Sequence, residues 1–353
     1  MFPVAVPEYT FMRKALFTLL LAVCVTLLPA QKRLVLIDED GYGPGGTDQM
    51  AMLALLQAPE VEVVGITMVT GDGWMEEETR HTLRMLELTG HAGMPVAKGA
   101  AVPLVRTPEE TKLLEQLGGK AGWLGAWGEK PAAALAEGEP TLRPIDEDAA
   151  HFLIRQVRAH PHQVMIYAGG PLTNIALAVS IDPEFAALTK GIVLMGGSVN
   201  PQTIDPEFVT DPRHEFNFWF DPEAAHIVLH ADWPRIDVTT ADVSLKAPFT
   251  RGVLDAVART NTPAARYVAR WSEPRSYMWD ELAACAWIDP TLITKEQDLY
   301  MDVDLSHGPS YGDTLAWPEN LKPATGVRLV HAQMDVDVGR FQKMFVELMA
   351  RKP

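Results

Sequence analysis

The sequence predicts an α/β fold with a mainly parallel central sheet and helices on both of its faces. Three observations carry this expectation. Short, continuous apolar runs such as residues 34–37 have the length and all-buried character of strands inside a parallel sheet. Each run is followed by turn residues and then by a stretch with helical spacing, so strand and helix alternate along the chain. The 353 residues, 47% hydrophobic and 22% charged, suffice for one large core, and no internal repeat or long linker divides them.

Taken in order, residues 34–37 read as the first strand, followed by a glycine-rich turn and an Ala, Met and Leu-rich helix over 48–57. Residues 61–69 form the next strand and 76–88 an amphipathic helix; 164–168 and 172–179 repeat the pair. A strand at 192–195, a helix at 222–229 and a strand at 235–238 complete the series. Residues 106–146 break it. Gly, Ala, Pro and charged residues surround Trp123 and Trp127 there, as expected of a long excursion forming a lid over the strand ends.

The N-terminal residues read as an address. Arg13 and Lys14 precede an apolar run over 15–28 that ends at Pro29-Ala30 before Gln31-Lys32-Arg33. The run falls short of the roughly 20 residues a spanning helix needs, so residues 1–30 are expected to be an export signal cleaved after Ala30, with an uncleaved anchor as the alternative. Met12 offers a second start immediately before the basic pair. The mature domain, 31–353, is then expected outside the cytoplasm, periplasmic or secreted, and free of the membrane. Cys24 would leave with the signal and Cys285 lies in an apolar run, which excludes a disulfide framework and a Cys-based zinc site. A formal charge of −16 repels phosphate backbones and anionic lipid, so nucleic acid is not an expected partner.

The turn after the first strand carries the chemistry. Asp38-Glu39-Asp40 precedes a formal G-x-G-x-x-G at Gly41, Gly43 and Gly46, and Asp48 opens the helix behind it. A dinucleotide loop offers N–H groups to a pyrophosphate. Here four carboxylates would meet that anion with repulsion. Carboxylates crowded at the C-terminal end of a central strand call instead for a hard divalent cation, the alternative being a solvated acidic turn with Asp48 as a first-turn charge.

Asp38-x-Asp40, the glycine turn and Thr47-Asp48-x-x-Ala51 resemble the D-x-D-x-G-x-D-D motif of the inosine-uridine preferring nucleoside hydrolases. Gly169 to Ala176, Met195-Gly196-Gly197, Glu215-Phe216-Asn217, Asp221 to Ala225 and Trp279-Asp280 are similar, in order, to further motifs of that family. The resemblance implies the nucleoside hydrolase variant of a Rossmann-like open sheet. It also implies one Ca²⁺ held by Asp40, Asp48, the carbonyl of Thr173 and Asp280, with Asp40 taking the proton of the attacking water. Glu215 and Asn217 would grip the ribose hydroxyls and Asp38 would support the cluster from behind. The implied reaction is hydrolysis of a ribonucleoside to base and ribose; a modified N-riboside as substrate and a catalytically silent metal or nucleoside binder are the alternatives. The implied assembly is a homo-oligomer, dimer or tetramer.

The departures from the family pattern concern the substrate. Thr47 stands where the pattern has a ribose-binding aspartate and Asp72 where it has an asparagine; another asparagine expected shortly before Glu215 is not evident, Asn200 on an altered loop being its candidate replacement. Trp279 stands where many members carry a histidine able to protonate the leaving base. Trp cannot supply that proton but can stack, as in the purine-preferring branch; Trp123 and Trp127 are expected to pack their own loop, with the facing wall of the base site as the alternative. The histidines form no rival site: His160 and His162 read as a loop, and His214 lacks a metalloprotease partner.

Overall fold

The computed structural model describes residues 1–3, 32–128, 130–324 and 326–353. The chain divides into two units, Met1–Lys32 and Arg33–Pro353. Beyond residues 1–3, the expected export signal lies outside the described residues, as do its cleavage point, the second start at Met12 and Cys24.

Residues Arg33–Pro353 build a nine-stranded sheet in the order β3-β2-β1-β4-β5-β6-β9-β7-β8. The strands are β1 (Arg33–Glu39), β2 (Val61–Met68), β3 (Val96–Lys98), β4 (Val164–Ala168), β5 (Gly191–Met195), β6 (Ile236–Thr239), β7 (Ile293–Val303), β8 (Thr314–Trp317) and β9 (Leu329–Val336). All pairings from β3 through β9 are parallel, and β7 runs antiparallel to both β9 and β8. This is the α/β class that the apolar runs predict. β3 and the β7–β9 edge lie outside the runs that the sequence predicts as strands. β3 has only three residues, and β7 buries Leu299, Met301 and Val303 alternately behind a charged, exposed first half, so neither shows a continuous apolar run.

Val35, Leu36 and Ile37 of β1 are fully buried because helices cover both faces of the sheet. The chain steps outward from β1 to β2 and β3, then returns to β4 on the other side of β1. In open parallel sheets such a reversal leaves a crevice at the C-terminal strand ends. Here Glu39, Ala168 and Met195 end the three central strands at that crevice.

Two helices set the floor. Thr47–Gln57 and Trp279–Ile288 are buried nearly all round, and both are rich in alanine, so they pack closely side by side. The second is pinned at both ends: the Tyr167 hydroxyl donates to the Asp280 carbonyl at 2.9 Å, while the Arg33 guanidinium donates to the carbonyls of Trp287 and Ile288 at 3.0 and 2.8 Å.

Candidate active site

Strand alternation separates Asp38 from Glu39 at the end of the first strand, and Asp40 follows directly after it. Asp38, fully buried, accepts from the Asn174 amide at 2.8 Å and from the Thr67 hydroxyl. Asn174 also donates to the Met68 carbonyl at 3.1 Å and accepts from the Ala100 N–H at 2.8 Å. Asp38 thus fastens the ends of β1 and β2 to the helix Thr173–Ile181.

Glu39 points to the other face, where it meets the acidic first turns of the two floor helices. One carboxylate oxygen from each of Glu39, Asp48 and Asp280 lies within 4.8 Å of the other two. Both oxygens of Glu39, Oδ2 of Asp48 and Oδ1 of Asp280 have no hydrogen-bond partner among the described residues. Burial first, and then the neighbouring carboxylates, push the pKa of each well above the ordinary carboxylate range. Buried charges of one sign are strongly destabilising unless a counter-charge joins them, and an all-oxygen set suits a hard cation.

Asp40 adjoins this group without belonging to its tight core. Its Oδ2 accepts from the Asp72 N–H at 2.8 Å, and its charge raises the pKa of both Asp48 and Asp280. Residue 71 must be glycine for this to hold, because a Cβ there would lie 2.1 Å from Asp40 Oδ2.

Thr173 is elsewhere, contrary to expectation. It is the first residue of the helix Thr173–Ile181, so its carbonyl is directed along the helix, and its hydroxyl donates to Asp221 at 2.6 Å. The backbone that reaches the carboxylates is Gly169, directly after β4.

A cavity of about 770 Å³ opens over Asp40, Asp48 and Asp280. Asp72, Thr47, Glu215 and Asn217 line it as well. Glu215 spends its carboxylate on backbone, accepting from the N–H groups of Asn217, Gly197 and Phe218 at 3.0, 2.8 and 3.1 Å. Burial nonetheless pushes its pKa up to about 7 against those hydrogen bonds. The Asn217 amide donates to the carbonyls of Gly169 and Met195. These two residues therefore tie the ends of β4 and β5 together while facing the cavity. Asn200 lies outside the cavity lining, with its N–H bonded to Asp242 at 2.8 Å.

The remaining lining is aromatic. The ring of Trp279 lies 6.0 Å from Phe208, tilted, and 5.5 Å from Tyr277, edge-on. Trp123 reaches the cavity from the 106–146 excursion, where its indole N–H donates to Asp72 at 2.9 Å. Trp127 does not reach it and packs on Phe220 at 4.6 Å.

Comparison with known proteins agrees with this architecture. The family model for inosine-uridine preferring nucleoside hydrolase matches residues 35–343. The chain is 32% identical to the non-specific ribonucleoside hydrolase RihC of Escherichia coli (strain SE11), over 90% of this chain and 98% of that one. It is 30% identical to the inosine-uridine preferring nucleoside hydrolase of Crithidia fasciculata, over 82% and 89% respectively. Among solved structures, the plant nucleoside hydrolase PpNRh1 superposes with a TM-score of 0.74 at 26% identity, covering 91% of this chain and 99% of that one. The chain belongs to the inosine-uridine preferring nucleoside hydrolase family, metal-binding N-ribohydrolases that cleave the N-glycosidic bond of ribonucleosides.

Proposed function

We propose that this enzyme is a Ca²⁺-dependent hydrolase of ribonucleosides that prefers purines, acting outside the cytoplasm after export on the signal of residues 1–30. The observation that carries the reading is the juxtaposition, in one cavity, of unpartnered buried carboxylates with the aromatic surface of Trp279, Phe208 and Tyr277.

The residues present fit a calcium ion: Asp48 and Asp280 supply carboxylate oxygens with no other partner among the described residues, Asp40 adjoins them, and neither His nor Cys joins the group. Bound there, the ion would polarise a water and gather ribose hydroxyls. Asp40 is the proton acceptor, since the Asp72 N–H fixes one of its oxygens while the carboxylate still faces the cavity. Water oxygen adds to the anomeric carbon, its proton passes to Asp40, and the glycosidic bond breaks with its electron pair leaving on the base nitrogen. The base leaves stacked on Trp279 and takes its proton from solvent, because the indole has none to give. Glu215 and Asn217 hold the wall that faces the ribose, and Asp38 keeps β1 in place from behind.

The relatives' names range from non-specific and inosine-uridine preferring enzymes to uridine nucleosidases and a pyrimidine-specific ribonucleoside hydrolase. The purine preference therefore rests on this chain's own aromatic lining. The test is release of reducing sugar from a panel of nucleosides, after chelation and after return of Ca²⁺. Sugar release restored by calcium, with close to one Ca²⁺ per chain that Asp48→Ala loses, supports the reading. Stoichiometric zinc, or activity indifferent to chelation, overturns the calcium assignment. Calorimetric binding with every nucleoside left intact overturns the catalytic one.

A further inference from the structure

Glu39 stands at the unspecified position of the D-x-D motif, where the family resemblance assigns no role. Its side chain is nevertheless wholly buried, and neither carboxylate oxygen has a hydrogen-bond partner among the described residues. It is aimed at Asp48 and Asp280, within 4.8 Å of both through one oxygen. The surroundings are shaped to admit it. At Gly169 a Cβ would fall 2.3 Å from Glu39 Oε2 and 2.4 Å from Oε1, so this chain combines a carboxylate at 39 with an absent side chain at 169. Among the described residues, no lysine, arginine or histidine forms an ion pair with Glu39, Asp48 or Asp280.

We infer that Glu39 is itself a ligand of the cation, forming with Asp48 and Asp280 a three-carboxylate floor beneath the Asp40 side of the cavity. This rests on the reading of the cavity as a metal centre and adds to it a residue that the motif does not mark. A fully buried carboxylate without donors is tolerated where a cation supplies the missing partner. A hard ion of calcium's size accepts six to eight oxygens in flexible geometry, which leaves room for one more carboxylate. Each position Glu39 fills is lost to water, and added ligand charge tightens binding. The chain should therefore hold Ca²⁺ more firmly, with fewer bound waters, than the Asp40, Asp48 and Asp280 set alone would allow.

The experiment uses the purified full chain with two probes, Ca²⁺ by calorimetry and one equivalent of Eu³⁺ by luminescence lifetime in H₂O and D₂O, which counts bound waters. Glu39→Ala should weaken Ca²⁺ binding by at least roughly tenfold and add about one water to the bound Eu³⁺. Glu39→Gln, which keeps the shape and removes the charge, should melt no lower than wild type without metal and show a smaller rise in Tm when Ca²⁺ is added. A packing role alone would lower the metal-free Tm and leave the calcium increment unchanged. Wild-type Ca²⁺ affinity and Eu³⁺ hydration in Glu39→Ala would overturn the assignment of Glu39. Failure of the metal-centre reading is distinguishable, because wild type would then bind no Ca²⁺-displaceable Eu³⁺ and Asp48→Ala would change nothing.

Discussion

The Thr47 hydroxyl donates to the carboxylate of Glu281 at 2.5 Å, joining the first turns of the two floor helices. The same oxygen accepts from the Asp280 N–H at 3.3 Å. Thr47 departs from the aspartate of the motif, and Glu281, fully buried, places a carboxylate against that position from the neighbouring helix. The carboxyl group at this point thus belongs to the Trp279–Ile288 helix and not to position 47, and the Thr47 hydroxyl serves it as a hydrogen-bond donor.

Restoring the motif should accordingly harm the protein. Thr47→Asp puts a second carboxylate against Glu281 and removes its one hydroxyl donor, which should lower stability by about 1–3 kcal/mol. Combined with Glu281→Gln, the loss should largely disappear, because the amide can donate to the new carboxylate. A double-mutant cycle read by urea denaturation checks this; simple additivity would show that the two positions do not communicate.

Asp48 and Asp280 were legible because each opens a helix and belongs to a recognisable block, and the apolar runs at β1, β2, β4, β5 and β6 marked the sheet that brings them together. Glu39 was hidden between two aspartates, although strand alternation was the available signal: a residue flanked by Asp38 and Asp40 must face the opposite side, toward the floor helices. Thr173 was misplaced because the motif marks a block without marking the residue at which its helix starts. Which of Trp123 and Trp127 enters the cavity depends on how the 106–146 excursion folds, and no periodicity encodes that.

Asp40 provides the sharpest test of mechanism. Asp40→Asn keeps an oxygen for the Asp72 N–H but cannot take a proton, so kcat should fall by about 10²–10⁴ while nucleoside binding persists. Gly71→Ala should reach the same end by displacement, since its Cβ would sit 2.1 Å from the Asp40 carboxylate. Single-turnover kinetics alongside calorimetric binding separates the two effects, and near-normal turnover in Asp40→Asn would remove it from the proton-accepting role.

Burial sets the sign of the pH dependence. Burial, opposed by hydrogen bonds from Asn174 and Thr67, pushes Asp38 up to about 7; burial, opposed by Thr47, pushes Glu281 up to about 8. In the unfolded chain both ionise near their ordinary value of about 4. Their contribution to stability is therefore fully present below about pH 4 and is lost as pH rises through about 7 to 8. Without metal, Tm should fall between about pH 5 and pH 8. Ca²⁺ affinity should climb as pH rises, because protons compete with the ion for Asp48 and Asp280, whose pKa values are also raised, by burial first and then by neighbouring carboxylates. Calorimetry in chelator and in calcium checks both, and a metal-free Tm that rises across the interval would contradict the account.

The base preference follows from Trp279. A two-ring base buries more area against the Trp279, Phe208 and Tyr277 surface than a one-ring base does, and stacking between aromatic rings adds about 0.5–1.5 kcal/mol beyond that area. Pyrimidines also leave less readily when no acid protonates them, and an indole is not an acid. Inosine should therefore exceed uridine in kcat/KM in the wild-type enzyme, and Trp279→Ala should reduce the purine value more than the pyrimidine one. Trp123, held to Asp72 at 2.9 Å, offers an internal control: Trp123→Phe removes the indole donor but keeps a ring, so it should disturb Asp72 and the ribose side without inverting the base ratio. Equal kcat/KM for the two substrates, or a preference for uridine, would overturn the stacking argument and leave the hydrolase assignment intact, because the latter rests on the carboxylates and the family match and not on the aromatic lining.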